Sequence, residues 1–66
     1  MKNSIKVERA RNNMTQQGLA EKVNVSRQTI NSIEAGRYVP STVLALKISK
    51  VFAVCLEELF ELEEGD

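Results

Sequence analysis

The chain has 66 residues, enough for one domain, and a domain this small buries only about 60% of the surface its unfolded chain exposes, so pairing with a second copy adds useful burial. Histidine is absent, Cys55 is the single cysteine, and no apolar stretch approaches the roughly 20 residues that span a bilayer; an internal disulfide and a membrane helix are excluded, and an enzyme is a distant reading. Nine basic and nine acidic residues cancel but are segregated: up to Phe52 nine Lys and Arg oppose only Glu8, Glu21 and Glu34, a net +6, and the remainder carries −6 in Glu57, Glu58, Glu61, Glu63, Glu64 and Asp66. A basic body can therefore face a polyanion while the acidic end points away.

In chain order, the spacing predicts a first helix over about Ser4 to Asn12, with Asn3 as its cap, Ile5 inward, and Lys2, Lys6, Arg9 and Arg11 supplying positive charge. Thr15 caps a second helix over about Gln16 to Val23, whose inner face carries Leu19, Ala20 and Val23. Asn24 then suits a left-handed turn, since its short polar side chain tolerates that conformation, and Val25 sits at the corner. Ser26 caps a third helix over about Arg27 to Ala35 with Ile30 and Ile33 inward. Two helices meeting over so short a bend must come close, and Ala20 provides the small contact residue.

Gly36 stops the third helix, and Arg37 to Pro40 form a loop because the residue before proline is pushed out of helical conformation. Ser41 caps a fourth helix that reaches Phe52 and lines Leu44, Ala45, Ile48 and Phe52 along one face. Leu56 to Phe60 form a short fifth helix. Cys55, inside the apolar run Val51 to Leu56, is expected as a small core residue rather than a redox thiol. The tail Glu61 to Asp66 is either a frayed end or a short pairing strand in which Phe60 and Leu62 face one way, and its carboxylates lack the spacing of a cation loop.

The outer face of the third helix follows from rotation. At about 100° per residue, Arg27, Asn31, Ala35, Gln28 and Ser32 fall within an arc of roughly 140°, and Ile30 and Ile33 lie opposite. Arg can fork onto guanine O6 and N7, Asn or Gln can pair with adenine N6 and N7, and Ser can bond to either. Arg27, Gln28, Asn31 and Ser32 are therefore candidate base-reading residues in a helix-turn-helix.

From Met14 to Ser41 the run MTQQGLAEKVNVSRQTINSIEAGRYVPS resembles the phage-repressor and Cro-type (XRE, lambda-repressor-like) helix-turn-helix regulators, including their short single-domain prokaryotic forms. The shared features are TQ opening the second helix, LA in its middle, VSRQTI leading into the third, IE followed by AG, and PS opening the fourth. Gly18, where an acidic residue is common, and Asn24, where glycine is usual, depart from that pattern. The resemblance implies an all-α, five-helix fold over residues 1 to 66, one DNA-binding domain whose second and third helices form the helix-turn-helix and whose acidic end, 57 to 66, is a candidate dimerisation segment.

It further implies phosphate contacts at Thr15, Gln16, Ser26, Thr29, Arg37 and Tyr38, and an ion pair between Arg9 and Glu34. It implies a homodimer joined through Val54, Leu59, Phe60 and Leu62. The expected function is sequence-specific regulation of transcription, more often repression, by a homodimer on a palindromic operator in double-stranded DNA, without cofactor, metal or small-molecule ligand. The start of the chain lacks the apolar run of a secretory signal, so the expected setting is the cytoplasm, at the nucleoid. The alternative is an antitoxin or adaptor module whose acidic end meets a protein partner and whose DNA binding is secondary.

Overall fold

A computed structural model describes residues Met1 to Asp66. Its elements in order are β1 (Lys2–Asn3), α1 (Ile5–Arg11), α2 (Gln16–Val23), α3 (Arg27–Glu34), α4 (Thr42–Phe52), α5 (Leu56–Leu59) and β2 (Phe60–Glu61). Five helices dominate, and the fold is the small all-α, lambda-repressor-like one with α2 and α3 as the helix-turn-helix. No helix is long and apolar enough to cross a membrane.

Three helix starts are built alike. The side chains of Thr15, Ser26 and Ser41 each accept a hydrogen bond from the backbone N–H three residues on, at Gly18, Thr29 and Leu44. Each removes one orphan donor from a first turn.

The helix ends are more uniform still. At the ends of α1 to α4 a left-handed residue (Asn13, Asn24, Gly36 and Ala53, φ 51°, 64°, 76° and 54°) is followed by an N–H that reaches back five residues: Met14 to Arg9, Val25 to Ala20, Arg37 to Ser32 and Val54 to Ser49. This six-to-one bond is the mark of a Schellman stop, which satisfies carbonyls the helix leaves unpaired. Only one of the four positions is glycine. The two asparagines accept the conformation through their short polar side chains, whereas Ala53 takes it with a Cβ and no such help.

Ile5, Leu19, Ala20, Val23, Ile30, Ile33, Leu44, Ala45, Ile48, Phe52, Leu59 and Phe60 form one buried cluster, and no side-chain polar atom inside it lacks a partner. The inward sets expected of α2, α3 and α4 all lie in it.

Several expectations require correction. The first helix spans Ile5–Arg11, and Ser4 stands at its N-cap without a side-chain bond. Asn3 instead lies in β1, where its Oδ1 accepts from the Ile5 N–H at 3.3 Å and its Nδ2 donates to the Ile33 carbonyl at 2.9 Å, tying the strand to the end of α3. The third and fifth helices each stop one residue short, with Ala35 and Phe60 as their C-caps.

The tail does pair, antiparallel with β1, Lys2 opposite Glu61 and Asn3 opposite Phe60. Pairing ends at Glu61, so Leu62 does not share the burial of Phe60 and stands exposed. Beyond it, the N-terminal ammonium of Met1 meets Glu63 at 3.0 Å and Asp66 at 3.1 Å, holding the two chain ends together.

Cys55 is exposed rather than buried. The apolar run Val51 to Leu56 is no continuous helix, because α4 stops at Ala53, and Cys55 occupies the extended N-cap position of α5 (φ −66°, ψ 147°), which turns it outward.

Candidate nucleic-acid interface

Ala20 is fully buried at the crossing of α2 and α3, and its carbonyl accepts the N–H of Val25 at 3.0 Å. Asn24 turns the chain in left-handed conformation (φ 64°, ψ 44°) directly before Val25 and Ser26. The bend thus joins the two helices with its own backbone bonds satisfied, and α3 is held by Ile30 and Ile33 with its opposite face outward.

On that outer face Arg27 and Gln28 are exposed and Asn31 and Ser32 half-buried. Two shallow concavities meet at Gln28. One is lined by Ser26, Gln28, Thr29, Ser32, Arg37 and Tyr38, the other by Arg27, Gln28 and Asn31. Nine of the ten residues anticipated to touch bases or phosphates cluster around the start of α3, the loop after it, and Gln16 at the start of α2; Thr15 caps that same α2 start.

Hydroxyls at these helix starts are already engaged. Thr15 Oγ1 accepts from the Gly18 N–H at 2.9 Å, and Ser26 Oγ accepts from Thr29 N–H at 3.1 Å and shares a hydrogen bond with Thr29 Oγ1. The backbone N–H groups of the first helical residues, Gln16, Gln17, Arg27 and Gln28, have no acceptor within their helices. Such groups suit an anion, and the positive end of each helix dipole points the same way.

A chain of polar contacts runs from α1 to this surface. Arg9 Nε donates to Glu34 Oε2 at 2.7 Å and its Nη2 to Oε1 at 3.0 Å, while Nη1 donates to the Met14 carbonyl at 3.0 Å. Gln16 Nε2 donates to the same Glu34 Oε1 at 3.2 Å, and Gln16 Oε1 accepts from Asn31 Nδ2 at 3.5 Å. Arg37 Nη2 completes the chain on Asn31 Oδ1 at 3.3 Å. The hydrogen bond to Glu34 holds the Arg9 guanidinium above its already high range, with desolvation acting in the opposite sense. Asn31 is therefore fixed from both ends of its amide, a restraint no spacing in the sequence reveals because its partners come from α2 and from the loop after α3.

The four residues expected at a dimer interface separate. Leu59 and Phe60 are buried in the chain's own core, Val54 is half-buried against it, and Leu62 stands exposed. The segment's helical turn and its pairing with β1 point the larger side chains inward. No three His, Cys, Asp or Glu side chains converge to hold a metal ion.

Comparison with known proteins gives a consistent picture. Residues 5 to 59 match the family model described as helix-turn-helix. The chain is similar, at 52% identity over the full length of both, to an uncharacterized HTH-type transcriptional regulator of Methanocaldococcus jannaschii. It is 53% identical over 97% of both chains to the uncharacterized HTH-type transcriptional regulator YgzD of Bacillus subtilis. It is also 42% identical, over 79% of its length and 26% of the relative's, to the HTH-type transcriptional activator BcrR of Enterococcus faecalis.

Proposed function

The chain belongs to the XRE-type helix-turn-helix family of DNA-binding transcriptional regulators, and from that premise we propose that it is a repressor that binds a palindromic operator as a homodimer, with α3 in the major groove. The observation that carries this reading is the outer face of α3. Arg27, Gln28, Asn31 and Ser32 offer forked and paired hydrogen-bond groups to base edges, with no acidic residue among them. Around them, Arg37, Tyr38, Thr29 and the capped starts of α2 and α3 offer groups suited to the flanking phosphates.

A two-fold dimer would set its two α3 helices about one turn of DNA, roughly 34 Å, apart, which favours an inverted repeat. Occupying such a site over a promoter blocks polymerase through DNA binding alone. The site of action is the chromosome, in the cytoplasm.

The experiment is selection of bound sequences from a random duplex pool at about physiological ionic strength, where non-specific phosphate attraction is weakened. The reading requires an enriched inverted repeat with half-sites about one turn apart, and a reporter driven through that repeat that falls when the protein is supplied. A folded sample that enriches nothing would favour a protein-binding adaptor acting through the exposed acidic end; a reporter that rises would make it an activator.

A further inference from the structure

The outer face of α4 is unpartnered and amphipathic. Val43, Leu46, Lys47 and Lys50 lie within about 100° of one another around the helix, opposite the buried Leu44, Ala45, Ile48 and Phe52. Val43 is 63% and Leu46 52% exposed, large values for branched apolar side chains on one stripe. Lys47 and Lys50 continue the stripe into a groove between α4 and the end of α2, where Lys22 joins them. None of the three lysines is in an ion pair.

The opposite chemistry stands at the other end of the chain. Leu62 is 77% exposed and sits between Glu61 and Glu63, with Glu64 following. Glu61 and Glu64 have no cationic partner. The pairing of β2 with β1 and the clamp on Met1 hold this segment beside β1 and the end of α3, with Leu62 turned outward.

We propose that Glu61–Glu64 of one copy docks on the outer face of α4 of a second, Leu62 against Val43 and Leu46, with Glu61 and Glu64 facing Lys47, Lys50 and Lys22. The proposal rests on the homodimer reading and names the surfaces that make it. DNA phosphate is the weaker occupant of the groove: Lys22 lies six residues, about 9 Å of helix rise, from Gln16 at the start of α2, and exposed valine and leucine give phosphate nothing.

Size supports a reciprocal arrangement. A specific interface takes about 800 Å² and 20 to 30 residues from each partner, about a sixth of this molecule's 4592 Å² surface. One short acidic segment on one helix falls well below that. Docking each tail on the other copy's α4 doubles the contact and closes a two-fold dimer instead of an open string.

Charge reversal tests it by sedimentation of the full chain without DNA. K47E/K50E and E61K/E64K should each weaken self-association by about tenfold or more, because each sets like charges together. Mixed one to one, they should associate nearly as the wild type does, since each tail then meets a groove of opposite sign. K6E/R11E, with the same net charge change on α1, should dimerise like the wild type, and circular dichroism should show all variants folded. Wild-type-like dimers of both reversed variants, or no recovery on mixing, would overturn this interface while leaving the dimer standing. A wild-type protein monomeric with and without operator DNA would overturn the dimer itself.

Discussion

Arg9 and Glu34, 25 residues apart in sequence, form a two-point ion pair in which two guanidinium nitrogens meet two carboxylate oxygens at 2.7 and 3.0 Å. The pair is largely shielded, with 15% of the Arg9 and 8% of the Glu34 side chain exposed. Removing one partner leaves the other desolvated and uncompensated. Glu34→Gln should therefore destabilise by about 2–3 kcal/mol, less than a fully buried pair, and lower the melting temperature by roughly 10 °C or more in a domain of this size. Because Glu34 also holds Gln16, and Gln16 holds Asn31, the same variant should lose preference at the base pair proposed for Asn31. An unmoved melting curve at low salt would show the pair to be energetically idle.

Ala53 ends α4 in left-handed conformation at φ 54°. An alanine there carries the Cβ clash that glycine avoids, a cost of about 1–2 kcal/mol. Ala53→Gly should raise stability by about 0.5–1 kcal/mol, the gain being trimmed by the freer unfolded chain. Chemical denaturation should show a higher midpoint with an unchanged slope. Asn24→Val, at φ 64°, should move stability the opposite way.

Those two positions mark what is legible in this sequence. Asn24 announces a left-handed turn by its side-chain chemistry, and the caps Thr15, Ser26 and Ser41 announce the helices they begin. Ala53 does not announce its left-handed conformation, because alanine is a helix former, even though the end of the fourth helix at Phe52 is legible. Cys55 is misread for a different reason: a cysteine inside the apolar run Val51 to Leu56 reads as core, whereas the extended N-cap position it holds before α5 turns the thiol to solvent. The fate of the tail is equally hidden: two residues of pairing suffice to sink Phe60 and leave Leu62 outside, and no periodicity is established over two residues. At the candidate site, the outward face of α3 follows from helix rotation alone. The links from Arg37 and Gln16 to Asn31 do not, since they cross between elements.

Ala20 is fully buried where α2 and α3 cross. Ala20→Leu forces extra methylenes between two helices whose separation is set by the short bend, and should cost about 1–3 kcal/mol or more. DNA binding should fall with it, since tilting α3 moves the whole outer face. A melting curve equal to that of the wild type would contradict this account of the crossing.

Cys55 is exposed yet should react slowly. The nearby Glu58 carboxylate favours the protonated thiol as a potential hydrogen-bond acceptor and repels the thiolate, and desolvation and the charge of Glu57 add to the effect, so the thiol is held above its ordinary range. The thiolate is the nucleophile. Alkylation by iodoacetamide near pH 8 should be slower than for an unstructured peptide thiol, and Glu58→Gln should accelerate it. The sign for stability is the same: a raised folded-state value means the protonated thiol favours the fold below its unfolded range, and that support fades as the pH climbs past it. Equal alkylation rates for wild type and Glu58→Gln would remove Glu58 as the cause.

Arg27 and Arg37 should fail differently, although both are exposed arginines beside α3. Arg27 stands in the first turn of α3 on the outer face, where a forked contact to guanine would discriminate among bases. Arg27→Ala should cost about 1–3 kcal/mol on the operator and relax preference at one base pair. Arg37 lies past the helix in the loop, its Nη2 on Asn31, and lines the same concavity as Tyr38, beside the base-reading face rather than on it. Arg37→Ala should weaken binding to every sequence and make the dependence of log K on log salt shallower by about one, with a smaller loss of preference at one base pair from the release of Asn31. Titrations of both variants on operator and on random duplex at several salt concentrations separate the two roles. Equal losses on both DNAs for Arg27→Ala would take Arg27 off the base-reading face, and an unchanged salt slope for Arg37→Ala would take Arg37 off the phosphates.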